Sequence, residues 1–298
     1  MSINPHPTLP EFDYVKPKTI EEASKFLVEH KGEARPLLGG TDIFVRLRDG
    51  AWKDRYLVDV KHLEGMKEIR FDPGSGLVIG AAVNMNRVDA FPAIRECYRV
   101  LADAAKSCAS YQLRTRATIV GNICNASPAG DTIGACMLLG GILNVYGLDG
   151  HRQEPLATFF TGPGKTRLRL GDIVTSLQFP LPPQGTVGKY LKHGRNQLSD
   201  LSIVGVTVVG APAADLPSGY RFQLALASVA PVPLIVKKVE ELLGAKAINL
   251  ETINEAGRIA ESACDPIDDV RGSSRYRRKM TRNLSIRALS MVWEELGG

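Results

Sequence analysis

The chain has 298 residues, 44% of them hydrophobic and 23% charged, which is enough apolar material for a real core in one large domain or two to three small ones. That composition excludes collagen, a disordered chain and a disulfide scaffold, and no apolar run reaches the roughly 18 residues of a membrane span. The net charge of +5 is mild and concentrated in RGSSRYRRKMTR (Arg271 to Arg282); without an aromatic platform or a nucleic-acid motif it reads as a solvated or partner-facing helix start.

The N-terminal MSINPHPTLPEFDYV lacks the charged and apolar regions of a secretory signal, so a cytoplasmic protein is expected. KTIEEASKFLVEH then predicts a helix with a capping box, Thr19 as N-cap and Glu22 three residues on, and with Ala23, Phe26 and Leu27 on one face. Ala34 to Leu38 reads as a short buried strand ending at Gly39-Gly40, and Thr41 as the cap of a short helix that stops at Gly50. RYLVDV and GLVIGAAV read as strands, FPAIRECYRVLADAAKSCA as a helix, and GILNVYG and DIVTSLQFP as strands again. This loose alternation fits an α+β or α/β domain. PLPPQG (Pro180 to Gly185) is proline-rich and uncharged, and reads as a linker. Beyond it come three strand-like runs, VGKYLKHG, LSIVGVTVVGA and YRFQLALASVA. Three helical runs follow, VPLIVKKVEELLG, NLETINEAGRIAESAC and SIRALSMVWEEL, which predicts a separate sheet with helices on one face.

Two glycine-bearing stretches carry the chemistry. In LLGGTDI (Leu37 to Ile43) paired glycines after a strand allow positive φ and close approach of backbone to a ligand, and their N–H groups with the Thr41 hydroxyl make a small anion nest. In TIVGNICNASPAGDT (Thr118 to Thr132) Gly121 again permits close approach. Asn122, Asn125 and Ser127 offer donors and acceptors, Asp131 is an acceptor suited to hydroxyls, and Ile119, Val120 and Ile123 would anchor the turn in the core. Either stretch alone could be a structural turn. Neither has the form of a Rossmann fingerprint or a P-loop. Together they suggest one elongated ligand with phosphate and hydroxyls, such as a dinucleotide. The cysteines, Cys97, Cys108, Cys124, Cys136 and Cys264, have no metal-ligand spacing and read as small buried hydrophobes. The histidines, His6, His30, His62, His151 and His193, have no recognisable catalytic partner in sequence and read as structural or exposed.

PLLGGTDI followed by RTRATIVGNICNASPAGD resembles the FAD-binding medium subunits of molybdenum hydroxylases, a group that includes the carbon monoxide dehydrogenase and nicotinate dehydrogenase medium subunits and the middle domain of xanthine dehydrogenase. FDYVKPKTIEEASKFL, FFTGPGKTRLRLGDIVTSLQFP, KHGRNQLSDLSIVGV and the RGSSRYRRKM tail fall in the same order, so the resemblance covers nearly the whole chain. It implies an α+β fold. A PCMH-type FAD-binding region would span residues 1–179, in subdomains of about 1–57 and 58–179. A linker would follow at 180–185, and 186–298 would form an antiparallel sheet with helices like the carbon monoxide dehydrogenase flavoprotein C-terminal domain.

For the cofactor the resemblance implies that Leu37, Leu38, Gly39, Gly40 and Thr41, with Asp42 just beyond, form a first pyrophosphate loop. Thr118, Gly121, Asn122, Ser127 and Asp131 would form a second, with Asp131 on a flavin-side or ribose hydroxyl. Val174 would lie against one end of the cofactor, and Lys192 would sit by the flavin ring, where a positive charge stabilises the anionic reduced form. Where many relatives have two glycines before the asparagine, this chain has Val120-Gly121, a change expected to do little damage. No cysteine-rich insertion for an extra cluster is seen. The implied function is that of a FAD-carrying oxidoreductase subunit. It would take electrons from the [2Fe–2S] clusters of a small subunit, reduced by a large molybdenum–pterin subunit, within a dimer of heterotrimers, and pass them to a final acceptor. A stand-alone flavoenzyme of the same broad fold and a cofactor-free scaffold are the alternatives, which a visible spectrum and a search for partner chains would separate.

Overall fold

The computed structural model describes residues 8–196 and 199–298. The N-terminal unit is a three-stranded parallel sheet in the order β1-β3-β2, from β1 (Asp13–Val15), β2 (Ala34–Leu37) and β3 (Tyr56–Asp59), with α1 (Ile20–Glu29) and α2 (Ile43–Arg48) in the connections. Thr19 caps α1, its hydroxyl accepting from Glu22 N–H, but the Glu22 carboxylate accepts from Lys18 N–H instead of completing the box on Thr19. Thr41 does not cap α2. The N-cap position is Asp42, in helical conformation with no side-chain cap.

The second unit opens with the hairpin β4 (Ile69–Asp72) and β5 (Gly76–Gly80) and continues through a run of helices: α3 (Met85–Ala90), α4 (Pro92–Cys97), α5 (Arg99–Ser107), α6 (Tyr111–Arg114), α7 (Ile119–Asn125) and α8 (Ile133–Leu138). It returns as β6 (Ile142–Gly147), β7 (Gly150–Pro155), the small hairpin β8 (Phe160–Gly162) and β9 (Lys165–Thr166), and β10 (Ile173–Phe179). The sheet order is β4-β5-β10-β6-β7, antiparallel throughout. The helix expected over FPAIRECYRVLADAAKSCA is two helices. The chain breaks at Tyr98 (φ −130°, ψ 40°), whose buried ring packs near Phe71 and Phe179 while its hydroxyl donates to Pro180 O. Burying that aromatic against the sheet outweighs one more turn of helix.

The third unit is an antiparallel sheet, β11 (Val187–His193), β12 (Val204–Pro212), β13 (Tyr220–Ala227) and β14 (Leu234–Ile235), followed by α9 (Lys237–Ala245), α10 (Leu250–Ser262) and α11 (Ser274–Glu295). The last helix starts well before the SIRALS segment, capped by the Ser273 hydroxyl, and takes in most of the basic run. Period-two alternation gives the sheet two buried faces. Val204, Val206, Val208, Phe222, Leu224 and Leu226 pack on the three helices, while Val209 and Ala225 join the core of the second unit.

Helix α8 runs between the two units and every one of its residues is buried. Gly134 lets it close on the third sheet, since a Cβ there would lie 2.6 Å from the Thr207 hydroxyl. A helix apolar on all sides is buried on all sides, and α8 therefore fixes the third unit against the back of TIVGNICNASPAGDT.

Candidate functional site

The segment expected as a second glycine loop is largely helix. Thr118 is the N-cap of α7, its hydroxyl accepting from Gly121 N–H at 2.9 Å, and Ala126, left-handed at φ 48°, ends it. Ile119, Val120 and Ile123 are fully buried, as their apolar spacing requires. Val120 lies in the helical first turn and needs no positive φ, so a β-branched side chain is accommodated there. Gly121 serves close packing: a Cβ there would approach the Thr118 hydroxyl to 2.9 Å.

The first loop lies directly against this segment. A Cβ on Gly39 would fall 2.3 Å from the Arg116 carbonyl oxygen, so only glycine allows the two backbones to meet. Gly40 has φ 76° and is tucked over the Phe44 ring. A second tie crosses the seam, from the Asn125 side-chain amide to Asp42 Oδ1 at 3.1 Å. Among the described residues the N–H groups of Gly39, Gly40 and Thr41 donate to no other group, so three backbone donors stay free beside the seam. Such turns bind anions.

Around the seam opens a cleft of about 570 Å³. Leu38, Gly39, Gly40, Thr41 and Asp42 line it from one side, and Thr118, Gly121, Asn122, Ser127 and Asp131 from the other, with Val174 at its wall. The structure thus gathers residues far apart in sequence. Two of the expected site residues do not line it. Leu37 faces inward onto Leu47 and Leu57, and Lys192 stands behind Asp131. The sequence reading missed Arg35 and Trp52, Cys108 and Ala109, Leu168 to Ile173, and Ser199 to Leu201. The glycine at 171, left-handed at φ 85°, and the Arg35 guanidinium stacked 3.7 Å over Trp52 give no signal by spacing alone.

The polar side chains of the second segment are held by the protein itself. Asn122 Oδ1 accepts from the Thr132 hydroxyl at 2.9 Å, and Ser127 Oγ accepts from Ala129 N–H at 3.3 Å. Asp131 is 5% exposed; Oδ1 accepts from the Tyr190 hydroxyl at 2.6 Å and Oδ2 from Lys192 Nζ at 2.9 Å. Tyr190 and Lys192 are two residues apart on β11 and therefore share a face. Gly205 on the neighbouring strand leaves room for the Tyr190 ring, whose hydroxyl a Cβ would approach to 3.1 Å.

Burial pushes the Asp131 carboxyl above its ordinary range, with Lys192 and Tyr190 drawing it back. Burial and the Asp131 carboxylate push the Tyr190 phenol well above its own. The Lys192 charge is thus paired inside the protein and is not a free cation at the cleft, and each Asp131 oxygen has one acceptor site already used. Burial, helped by Asp131, raises the Cys108 thiol to about 12, and burial alone raises Cys124 to about 12, which favours the protonated thiol at both cleft cysteines.

None of the described histidines adjoins the cleft lining as an acid–base group. His30 and His62 contact the Phe26 and Pro17 carbonyls, His151 packs on Tyr146, and His193 meets the Tyr276 hydroxyl at 2.8 Å. His6 lies outside the described residues. Among those residues no group of three or more His, Cys, Asp or Glu is placed to hold a metal ion, and no helix is long and apolar enough to cross a membrane.

A free backbone nest, a glycine seam only a bare backbone can form, and the cleft between them fit a nucleotide-cofactor protein of mixed α and β structure. Residues 10–182 match the model of the FAD binding domain in molybdopterin dehydrogenase, and residues 189–292 that of the CO dehydrogenase flavoprotein C-terminal domain. The chain belongs to this family of FAD-binding oxidoreductase subunits. It is 30% identical over 284 residues to the carbon monoxide dehydrogenase medium chain of Hydrogenophaga pseudoflava, covering 95% of this chain and 98% of that one. It is 26% identical over 295 residues to the nicotinate dehydrogenase FAD-subunit of Eubacterium barkeri, covering 97% and 98%. The solved structure of carbon monoxide dehydrogenase from Hydrogenophaga pseudoflava superposes with a TM-score of 0.92 at 28% identity, over 97% of this chain and 99% of that one.

Proposed function

We propose that this chain is the FAD-carrying medium subunit of a molybdenum-containing hydroxylase or dehydrogenase complex, and that FAD lies in the cleft across the seam. The observation that carries the assignment is the meeting of the two segments at Gly39 and Arg116. The residues fit the cofactor. The N–H groups of Gly39, Gly40 and Thr41 would hold the pyrophosphate without a cationic side chain. Asp42 and Thr118 fix the two edges of the seam through Asn125 and Gly121. Leu38 and Val174 give apolar wall to the rings, and Asn122 and Ser127 present polar edges.

When bound, FAD supplies a carrier that accepts electrons singly and delivers one or two. Asp131, fixed by Tyr190 and Lys192, keeps a net neutral, water-poor wall beside that carrier.

The relatives named as a medium chain and a FAD-subunit support a place in a multi-subunit complex. Within it this chain would sit beside a small iron–sulfur subunit and a large molybdenum–pterin subunit, two such heterotrimers making the assembly. Co-expression and purification of the complex tests this. The expected result is one FAD per copy of this chain, [2Fe–2S] signals from a partner, and a mass of two heterotrimers. A complex that releases no FAD on denaturation overturns the cofactor reading; a chain that purifies alone with FAD and its own substrate turnover overturns the subunit reading.

A further inference from the structure

Arg277 lies in the basic run, yet it is 4% exposed, against the solvated helix start that the run suggests. Its guanidinium makes a fork into the third unit. Nη1 donates to Ile203 O at 3.0 Å and Ser228 O at 2.9 Å, and Nη2 donates to Asp269 Oδ1 at 2.7 Å. The Nε has no partner among the described residues. Burying this charge costs more than burying an apolar side chain of the same volume, and a well-packed hydrophobe there would serve stability as well or better. What an apolar residue cannot do is gather two carbonyls and a carboxylate at fixed angles.

Both carbonyls belong to strand ends that support the cofactor cleft. Ile203 immediately precedes β12, and its N–H donates to His193 O at 2.7 Å, next to Lys192 on β11. Ser228 immediately follows β13 and is left-handed at φ 68°, a conformation that persists in a residue other than glycine only where its surroundings hold it. Its carbonyl is gripped by Arg277. Its N–H donates to Pro128 O at 2.8 Å, and its hydroxyl pairs with Ser202 Oγ at 2.6 Å, which also reaches Ala129 O at 3.4 Å. Pro128 and Ala129 sit between Ser127 and Asp131, both of which line the cleft. No residue of α11 lines it.

We propose that Arg277 is a positioning residue for the cofactor: through Ser228 and Ser202 it sets the backbone of residues 126–131, and so the second wall of the FAD cleft. The proposal rests on the FAD reading of that cleft. Without the guanidinium the strained Ser228 turn relaxes and its hold on Pro128 and Ala129 is lost. A wall that must then be ordered by the ligand binds it more weakly.

The test uses the chain in the complex purified with its partner subunits, stripped of FAD and retitrated, with amide hydrogen exchange measured on the stripped form. Arg277→Met is expected to weaken FAD binding by about tenfold or more, to speed exchange selectively at residues 126–131, and to alter the visible circular dichroism of the flavin that remains. Arg277→Lys, able to reach only part of the fork, falls between it and wild type. Leu289→Ala, a core change on the same helix, lowers the thermal midpoint without selective exchange at 126–131. Should Arg277→Met fail to fold, Ser202→Ala cuts the same path lower down and shows the same changes to a smaller degree. Wild-type affinity and exchange in the variant that folds, or an equal loss of FAD in Leu289→Ala, overturns the proposal. Failure of the cofactor reading shows differently, as a wild-type complex that takes up no FAD while the exchange pattern at 126–131 still follows Arg277.

Discussion

The two walls of the cleft are built on different physical terms. The first loop leaves a small sheet that rests one face on the main core through Val58, Ala23 and Leu27 and keeps on the other only a minor core of Leu37, Leu47 and Leu57, padded by partly buried Phe12, Ile43, Phe44 and Trp52. The second segment is a capped helix and turn backed by the main core, by α8 and by the third sheet. One wall depends on backbone freedom and the other on side-chain ties. Where the two touch, at Gly39 and Arg116, the lighter wall supplies the glycine. A ligand shared between such walls meets one surface built of packed helix and side-chain ties and another built of bare backbone, with the free N–H groups on the backbone side.

That contrast can be broken from either side. The largest effect is expected behind the packed wall. Lys192→Met leaves the buried Asp131 carboxylate without its cation, and removal of one partner of a buried pair costs about 3–5 kcal/mol. The sign of its pH dependence follows from burial, which already holds Asp131 above its ordinary value. Loss of Lys192 raises it further. A carboxyl whose folded value exceeds its unfolded one binds more protons when folded, so the variant loses stability as pH rises from the unfolded value through the folded one and regains it toward acid. Thermal melts of the variant across that range check this; a deficit constant with pH would show that Asp131 does not carry it.

Next comes the seam. Gly39→Ala drives a methyl into backbone, an overpacking cost of about 1–3 kcal/mol. If the first wall yields to relieve it, the loss appears chiefly as reduced FAD per chain in the flavin absorbance, with a small shift in the thermal midpoint. A large midpoint shift with full FAD content would reverse the contrast between the walls. Thr118→Ala removes the cap of α7 and is expected to cost about 1 kcal/mol, read as the midpoint of chemical unfolding. Asn125→Ala cuts the exposed tie to Asp42, worth about 0.5 kcal/mol at the low end of the range for single hydrogen bonds. It should leave stability almost unchanged and quicken FAD release. An effect larger than that of Thr118→Ala would mean the seam is held by this tie rather than by the glycine contact.

Legibility followed the range over which each signal acts. Thr19, Ala23 and Leu27 announced α1, and the alternation of Val204, Val206 and Val208 announced a strand with one face on helices. The stretch from Thr118 to Thr132 was legible as a site component but not as a helix. Its Gly, Asn and Pro content reads as a loop, whereas the buried Ile119, Val120 and Ile123 pay for a helical turn that Thr118 caps. Thr41 offered a cap that the chain does not use, because the helix starts from Asp42. Arg277 read as one more solvated base among many; nothing local distinguishes it from Arg275 or Arg278.

By itself the sequence determined what depends on neighbours along the chain. It set helix and strand periods, the positions where only glycine tolerates the backbone, and the paired motifs that mark the family. Only the tertiary structure decided what depends on groups far apart in the chain. It brought Gly39 against Arg116, closed Asp131 between Tyr190 and Lys192, turned Leu37 into the core, and buried Arg277 beneath two strand ends. The physical reason is that φ/ψ preferences and apolar spacing are fixed within a few residues, whereas the charge a buried group retains and the donors a turn leaves free depend on what is folded against them.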